Sequence, residues 1–312
     1  MDINFLTYQQ INKTKWDACI NASDNGLLYA CSCYLDCMAP FWNALVFNDY
    51  DMVMPLPSRI KWGIPYIFQP ALTPTLGVFG NHLTPEIIDA FINAIPSTFK
   101  LLDISFNSSN DFFYDRGTIV TRNNYVLNLT NNYSHIRQNY SDNIHRNITK
   151  AIKNNCVLKK HISFDEVADI CKTSFPQFTK VETGLFEKLK KVYDRYKDHS
   201  ETYGVFTKEG TLLASCIFLF FKNRAYYWLV GNTPESKHYG ASSLLLDTFI
   251  KDYAGKNLVL DFEGSDTASV GDFYKKFGSV LEPFSTWYLN KLPFPLNVLK
   301  PLPKPYRKLI SK

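Results

Sequence analysis

The sequence contains no hydrophobic run long enough to cross a membrane. The longest apolar stretch, residues 212–221, has about ten residues, whereas a membrane-spanning helix needs about 20. The amino-terminal residues also lack the basic stretch followed by an apolar one that marks a signal peptide. We therefore expect a soluble, cytoplasmic protein without a transmembrane segment.

Cysteine is sparse, with seven residues in a chain of 312, and the odd count argues against a disulfide scaffold. Three of these residues form the pattern Cys31-x-Cys33-x-x-x-Cys37. This pattern lacks the C-x-x-C spacing of zinc sites, and no histidine or fourth cysteine lies nearby in the sequence. We expect ordinary buried thiols and no metal ion.

Several common catalytic motifs are absent. The sequence contains no G-x-S-x-G, no H-E-x-x-H, no G-x-x-x-x-G-K-[ST] and no G-x-G-x-x-G pattern. These patterns carry the nucleophile, the metal ligands or the phosphate-binding backbone of large enzyme classes. Their absence disfavours serine hydrolases, zinc proteases, P-loop NTPases and dinucleotide-binding folds.

Positive charge is concentrated in two parts of the chain, although the net charge is only +5. The tail, residues 293–312, holds five basic residues and no acid, and residues 135–161 hold six Lys or Arg against one Asp. Such basic surfaces favour polyanionic ligands. We expect a phosphate, a pyrophosphate or RNA as the anion, and not DNA.

The chain divides into two halves of similar outline. With 312 residues, 46% of them hydrophobic, the chain is long enough for two domains. Each half reads as helices, then an antiparallel meander, then a helix and a strand, so we predict the α/β (α+β) class. Thr84 and Pro85 predict the start of a helix, residues 241–253 another helix and 118–129 one strand, and 208–210 and 222–223 are predicted as hairpin turns. Because the stretch 130–134 is polar, we predict domains at 1–130 and 131–292, each with a mixed, mainly antiparallel sheet flanked by helices. Residues 293–312 form a proline-rich basic tail.

The helix predicted at 134–154 has one apolar and one basic face. Its apolar stripe, at strict i+4 spacing, consists of Ile136, Tyr140, Ile144, Ile148 and Ile152. Its basic face consists of Arg146, Lys150 and Lys153. Two interpretations remain open for this basic face, a solvated surface or a phosphate-binding site.

The order of motifs in the second half resembles the GCN5-related N-acetyltransferase (GNAT) superfamily. A meander strand containing Trp228 and Val230 precedes the loop 237–242, a helix, the strand 258–262 and the segment 272–278. In that family a Q/R-x-x-G-x-G/A loop at a helix N-terminus cradles a pyrophosphate. The resemblance implies that the donor is bound by Trp228, Val230, Lys237, Gly240, Ala241 and Ser242, and this loop differs from the pattern at its first and last positions.

A closer resemblance is to the FemABX-type peptidyltransferases, which have two GNAT-like domains in tandem. Residues 143–151 are similar to their R-x-N-I-x-x-A stretch, and 261–264 with 273–278 to their D-F-x-G…F-K-x-x-F-G signature. The resemblance covers roughly residues 134–292. FemABX members transfer an amino acid from aminoacyl-tRNA to a peptidoglycan precursor, and some relatives use other acyl donors.

Three residues of the second half are candidates for catalysis. Tyr274 matches the Y-x-x-x-G tyrosine that the GNAT resemblance casts as the acid for a leaving thiolate, assisted by a neighbouring lysine, although a core aromatic also fits. Asp261 and Glu263 lie two residues apart and are expected on one face of a strand. One would be the base for an attacking amine and the other a structural acceptor, or both would be solvated. In the first half, Gln69 lies in the aromatic segment 62–70. This segment would line an acceptor groove or be a packed strand and loop.

We predict an N-acyltransferase that moves an acyl or aminoacyl group directly from a thioester or ester donor to an amine. The donor is acyl-CoA, aminoacyl-tRNA or neither, and no cofactor is bound permanently. The acceptor would be a phosphorylated small molecule or a lipid-linked molecule such as a cell-wall precursor, with tRNA as a further partner. A monomer and a dimer both fit the sequence. The alternative is a degenerate, non-catalytic GNAT pair that acts as a ligand-binding module.

Overall fold

The computed structural model describes residues 2–112, 115–174, 184–264, 266–303 and 306. The chain divides into two compact units, one made of residues 1–123 with 282–312 and the other of residues 124–281. The division differs from the predicted domains, because the second unit begins near residue 124 and the last segment joins the first unit. Among the described residues, no helix combines the length and the apolar character needed to cross a bilayer.

The first unit contains two sheets. Strands β1–β3 form a three-stranded antiparallel sheet, and the order in the second sheet is β4-β5-β6-β15-β7, in which only the β5–β6 pair is parallel. Strands and helices are numbered in chain order across both units. The strands of this unit are β1 (Ile3–Leu6), β2 (Asn43–Phe47), β3 (Met52–Leu56), β4 (Ser58–Lys61), β5 (Ile64–Ile67), β6 (Leu101–Phe106), β7 (Thr118–Arg122) and β15 (Phe284–Asn290). Its helices are α1 (Lys13–Ala22), α2 (Ser32–Met38), α3 (Pro85–Ala94) and α11 (Leu296–Leu299).

Helix α3 begins where the sequence predicts. Thr84 accepts a hydrogen bond from the N–H of Ile87, and Pro85 occupies the first helical position, where its missing N–H is not needed. The apolar face of the helix is buried against the sheets. The largest fully buried side chains of this unit's core are Trp16, Tyr34, Trp42, Phe79, Phe91, Phe106 and Trp287.

Strand β15 lies in the first unit, although the sequence analysis assigned it to the second domain. It pairs with β6 on one side and β7 on the other, so that Trp287 lies opposite both Ile104 and Ile119. The hydroxyls of Ser105 and Thr286, 2.8 Å apart and fully buried, join β15 to β6. The stretch 118–129, predicted as one strand, is correspondingly two strands that belong to different units.

The second unit has one seven-stranded sheet in the order β14-β8-β13-β12-β11-β10-β9. Its pairs are antiparallel except β12–β13. The strands are β8 (Tyr125–Asn128), β9 (Val157–Lys160), β10 (Ser200–Phe206), β11 (Leu212–Phe221), β12 (Arg224–Asn232), β13 (Val259–Asp261) and β14 (Val280–Leu281). The helices are α4 (Tyr133–Gln138), α5 (Asp142–Lys153), α6 (Phe164–Ser174), α7 (Leu185–Arg195), α8 (Ser236–Tyr239), α9 (Ala241–Tyr253) and α10 (Ala268–Lys275). The predicted α/β class, with mainly antiparallel sheets flanked by helices, is confirmed.

The predicted helix 134–154 is two helices, and its apolar stripe is shorter than expected. Helix α4 ends at the C-cap Asn139, and Ser141 is the N-cap of α5. Because four residues advance about 40° beyond one turn of an α-helix, a strict i+4 stripe winds around the helix. Ala151 therefore takes the buried position in the last turn, and Ile152 is 63% exposed.

Candidate functional site

The two parallel strands of the second unit separate after a short pairing. Strand β13 pairs with only the first three residues of β12, and the last pair is Tyr226 with Asp261. Strand β12 continues for six more residues, and a β-bulge at Trp228 interrupts its pairing with β11. Bulges bend a strand and are common next to active sites. Because β13 ends at Asp261, none of its described residues pairs with β12 beyond Tyr226, and this edge of β12 is unpaired there.

A pocket of about 580 Å³ is associated with this separation. Strand β12 and the residue after it, helices α5, α8 and α10, and the first turn of α9 all contribute to its walls. The lining residues are Asn143, Asn147, Tyr227, Val230, Asn232, Thr233, Ser236, Lys237, Gly240, Ser242, Ser243, Ser269, Val270, Asp272, Phe273, Tyr274 and Lys276.

The loop that resembles a pyrophosphate cradle contributes to this wall. Gly240 ends α8 and precedes α9 with φ +75°, a left-handed conformation that favours glycine. A Cβ at this position would collide with the backbone carbonyl oxygen of Asn147 in α5. The glycine thus lets the loop approach α5 closely, and it presents the first N–H groups of the 13-residue helix α9.

Side chains predicted to bind the donor lie around this loop. Lys237 and Ser242 line the pocket, whereas Ala241 is fully buried in the first turn of α9. Ser242 Oγ donates a hydrogen bond of 2.6 Å to Asn232 Oδ1 and lies 3.0 Å from Ser236 Oγ. This network fixes the end of β12 to the start of α9. The sequence reasoning missed Asn232, although a polar residue at the end of an otherwise apolar strand was available as a signal.

The remaining donor-site predictions on β12 have different environments. Val230 lines the pocket. Trp228 is 2% exposed and is not among the lining residues, and its indole N–H has no hydrogen-bond partner among the described residues. Trp228 therefore lies at the bulge in β12, and its ring is buried outside the pocket lining.

Tyr274 lines the pocket from α10 and is 9% exposed. Its ring stacks on Phe262 at 4.6 Å between centroids and lies near Tyr227. Burial, and then the charge of Glu263, raise the pKa of Tyr274 above its ordinary value. The sequence analysis expected a neighbouring lysine to assist Tyr274, but no lysine is among the causes of its raised pKa. Tyr274 therefore remains a phenol at neutral pH, which is the form that can give a proton to a leaving group.

The two acidic candidates do not share a strand face. Strand β13 ends at Asp261, and Glu263 has a left-handed backbone with φ +59°, so the alternation of strand side chains does not extend to it. Asp261 Oδ2 accepts a 2.6 Å bond from Arg224 Nη1, and its Oδ1 accepts from the N–H of Glu263. With both oxygens bound, Asp261 has the geometry of the structural acceptor. Glu263, whose charge acts on Tyr274, is left as the candidate base.

Removing the Asp261 side chain is expected to destabilise the fold. The side chains of Asp261 and Arg224 are only 6% and 21% exposed, and a buried ion pair that loses one partner typically costs about 3–5 kcal/mol. We expect Asp261→Ala to lower the free energy of unfolding by about 3 kcal/mol in urea titrations. Lys172→Ala, which breaks an exposed pair with Asp169, is the control and should change it by under about 0.5 kcal/mol. An Asp261→Ala protein of unchanged stability would contradict the structural role.

The predicted basic face forms a second concave surface in this unit. Arg146, Lys150 and Lys153 line an open depression of about 530 Å³ together with His238 of α8 and neighbouring α5 residues. None of the three basic residues forms an ion pair with a described residue. Since α5 and α8 also contribute Asn143, Asn147 and Lys237 to the first pocket, this basic depression and the pocket share two helices.

Gln69 lies in the first unit and has a structural environment. Its side-chain N–H donates to the carbonyl oxygen of Thr73 at 2.6 Å, and its Oε1 accepts from the N–H of Ser105 at 3.0 Å. Both ends of the amide therefore hold the loop 69–73 against β6. This environment corresponds to the packed strand and loop of the sequence analysis rather than to an acceptor groove.

The described residues contain no group of three His, Cys, Asp or Glu side chains arranged to hold a metal ion. Besides the carboxylate of Asp272, the polar walls of the pocket consist of hydroxyls, amides, two lysines and the N-terminus of α9. These groups are suited to bind phosphate and to hydrogen-bond a carbonyl oxygen.

The chain is similar to known proteins in one domain and in its fold. Residues 192–276 match the family model described as an acetyltransferase (GNAT) domain. Among solved structures, FemX has a TM-score of 0.63 at 12% identity, covering 96% of this chain and 99% of its own. A conserved protein of unknown function from Bacteroides thetaiotaomicron has a TM-score of 0.58 at 12% identity, with coverages of 89% and 97%.

A third similar structure is the C-terminal domain of a putative lysylphosphatidylglycerol synthetase from Agrobacterium fabrum. Its TM-score is 0.54 at 8% identity, with coverages of 89% of this chain and 91% of that domain. No curated protein matches the sequence. The structural similarities show the fold, and the family match covers β12, α8, α9 and α10 of the pocket wall but not α5. The second unit therefore contains the match to the acetyltransferase (GNAT) domain family, and the fold of the chain is similar to that of FemX.

Proposed function

We propose that the second unit transfers an acyl or aminoacyl group from a thioester or ester donor directly to an amine. One observation carries the proposal. Strand β12 beyond its pairing with β13, the Gly240 loop at the start of α9, and Tyr274 of α10 line one pocket. Such a pocket has a phosphate-binding end, unpaired strand backbone for the carbonyl oxygen, and a proton donor for the leaving group.

The proposed reaction needs one proton acceptor and one proton donor. The amine nitrogen attacks the donor carbonyl carbon, and its proton passes to Glu263 or to water. As the C–S or C–O bond of the donor breaks, the phenol of Tyr274 gives its proton to the leaving sulfur or oxygen. Backbone N–H groups at the unpaired edge of β12 would stabilise the negative charge on the carbonyl oxygen. The phenolate then recovers a proton from solvent.

Two donors remain as candidates, acyl-CoA and aminoacyl-tRNA. Both carry phosphates, for which Lys237 and the N-terminus of α9 are suitable partners. The basic depression of Arg146, Lys150, Lys153 and His238 would hold a further phosphate of the donor or of a phosphorylated acceptor. As acceptor we propose an amine on a phosphorylated small molecule or a lipid-linked molecule, such as a cell-wall precursor.

A thermal-shift titration tests the donor site. CoA, acetyl-CoA, uncharged tRNA and aminoacyl-tRNA are added separately to the wild-type protein. Since a ligand at a hundredfold excess over its Kd stabilises by about 2.7 kcal/mol, the true donor should raise Tm by several degrees. Lys237→Ala should lose most of this shift. Lys251→Ala, which removes the same charge from the far end of α9, is the control and should keep it.

Either of two outcomes would count against the proposal. If none of the four compounds shifts Tm, the pocket is not a site for these donors. If Lys237→Ala and Lys251→Ala respond alike, the donor binds elsewhere on the protein.

A further inference from the structure

Exposed apolar side chains of the first unit are concentrated on the β4–β5 hairpin and around α11. Of the ten large hydrophobic residues that the described part of the chain exposes strongly, five lie on the β4–β5 hairpin and around α11. A groove of about 320 Å³ separates these two elements, and Leu101 of β6 lies in its wall. We call this the hairpin patch; Trp62 and Leu299 line its groove, and the exposed Phe294 and Val298 lie on or beside α11. Ile60 pairs with Pro65 on the other face of the hairpin and is not part of the patch.

The turn of the hairpin holds a tryptophan outward. Trp62 and Gly63 form the turn, with φ of +53° and +75°, and the indole is 78% exposed. A left-handed backbone is unfavourable for a bulky residue and usually belongs to Gly, Asn or Asp. The ring contacts Lys61 Nζ, 4.9 Å from its centroid, and otherwise stays largely exposed. The indole is therefore accessible to a partner outside the protein.

The opposite side of the groove is also fixed in place. The carbonyl oxygen of Lys300 accepts hydrogen bonds from Asn290 Nδ2 at 2.7 Å and from Tyr288 Oη at 3.1 Å. Both donors lie on β15, so the chain directly after α11 is tied to the fourth strand of the five-stranded sheet. The patch is thus a fixed surface of this unit.

The charge around the hairpin patch has one sign. Arg59, Lys61, Lys291 and Lys300 flank it and are exposed, and residues 57–70 and 283–303 contain no acidic residue. The tail beyond residue 303 adds Lys304, Arg307, Lys308 and Lys312 in the sequence. A second copy of this surface would bring like charges together, which disfavours self-association through it.

We propose that the hairpin patch binds the surface of an anionic lipid bilayer. Tryptophan and other apolar side chains enter the boundary between head groups and acyl chains, where an indole is favoured. Lysine and arginine around them are attracted to anionic head groups within a Debye length of the surface. The two kinds of contact together are what stable peripheral binding requires. The inference does not depend on the acyl transfer.

Trp62 provides a selective readout of this binding. The other four tryptophans, Trp16, Trp42, Trp228 and Trp287, are at most 2% exposed, so acrylamide quenches mainly Trp62. The probe is a vesicle of phosphatidylcholine with about 30% phosphatidylglycerol. We expect such vesicles to shift the emission to the blue, to reduce acrylamide quenching and to carry the full-length protein in flotation. Neutral vesicles and soluble glycerol phosphate should do none of these.

Variants separate the apolar from the electrostatic contribution. Trp62→Ser/Phe294→Ser/Leu299→Ser should lower the vesicle partition coefficient by at least about tenfold. Phe41→Ser is the matched control, because Phe41 is 70% exposed in the same unit but lies outside the patch. Lys61→Glu/Lys300→Glu should weaken binding and its salt dependence, unlike Lys208→Glu on a hairpin of the second unit.

Two results would overturn the proposal. One is unchanged Trp62 quenching and no flotation with anionic vesicles at low salt. The other is protection of Trp62 without lipid that increases with protein concentration, because it would assign the patch to contacts between copies of the chain. Turnover of a soluble acceptor by the patch variants should equal that of the wild type, since no patch residue lines the donor pocket.

Discussion

Tyr274→Phe is expected to lower kcat by about 10²- to 10⁴-fold, the usual contribution of a positioned acid. The substitution removes only the hydroxyl, and the ring stacked on Phe262 retains its packing. Burial and Glu263 raise the pKa of Tyr274, so the wild-type side chain is protonated across the neutral range and available as a donor. Donor affinity should change little, because the proton is transferred only as the leaving group departs.

The control for this experiment is Tyr227→Phe, which removes another hydroxyl from the same pocket. Tyr227 is buried with a raised pKa, and the proposed reaction does not use its proton. Steady-state kinetics with the donor identified by thermal shift gives kcat and KM for both variants. A normal kcat for Tyr274→Phe would remove this residue from the reaction. A large loss confined to Tyr227→Phe would transfer the acid role to Tyr227.

The triple variant Arg146→Ala/Lys150→Ala/Lys153→Ala is expected to fold normally and to lose activity by about 100-fold or more at about 150 mM salt. The buried residues of α5 are Ile144, Ile148 and Ala151, and the substituted residues are not among them. Exposed charge changes usually alter stability by less than about 0.5 kcal/mol each. Each lost phosphate contact also lowers the slope of log affinity against log salt by about 0.7–0.9, so the slope should fall by two to three in total.

A variant of equal charge and composition tests whether this effect is local. Lys190→Ala/Lys191→Ala/Arg195→Ala removes two lysines and one arginine from α7, another helix of the same unit. It should keep both the activity and the salt slope. Equal losses in the two triple variants would indicate a general charge effect. An unfolded α5 variant, detected by circular dichroism, would mean that the basic residues carry packing.

Local patterns allowed much of the second unit to be predicted. Helix α9 has the predicted bounds, and the β10–β11 and β11–β12 hairpins form around the predicted turns, because capping, turn residues and periodicity act over a few residues. Strand β15 was assigned to the wrong unit because its partners β6 and β7 lie more than 160 residues earlier in the chain. A sequence pattern predicts a strand but not its partners.

The difference between local patterns and partners distant in the sequence also applies to the candidate site. The motif resemblance identified Lys237, Gly240, Ser242 and Tyr274, and the structure brings all four to one pocket. It missed Asn143 and Asn147 of α5 and Asn232 of β12. The i, i+4 spacing of the first two places them on one helix face but does not show that this face meets the end of β12. Asp261 looked like a base because its ion-pair partner, Arg224, lies 37 residues away in the sequence. The left-handed backbone of Glu263 has no sequence signal, because glutamate is not a residue that favours this conformation.

The most direct test of the central claim is a crystal structure of the protein with its donor, either CoA or a short aminoacylated RNA. The account predicts that donor phosphates lie within hydrogen-bond distance of the backbone N–H groups of Ala241 and Ser242 and of Lys237 Nζ. The acyl carbonyl should lie at the unpaired edge of β12, with the leaving sulfur or oxygen facing Tyr274. A donor bound in the first unit, or bound with its reacting carbonyl away from Tyr274, would contradict the account.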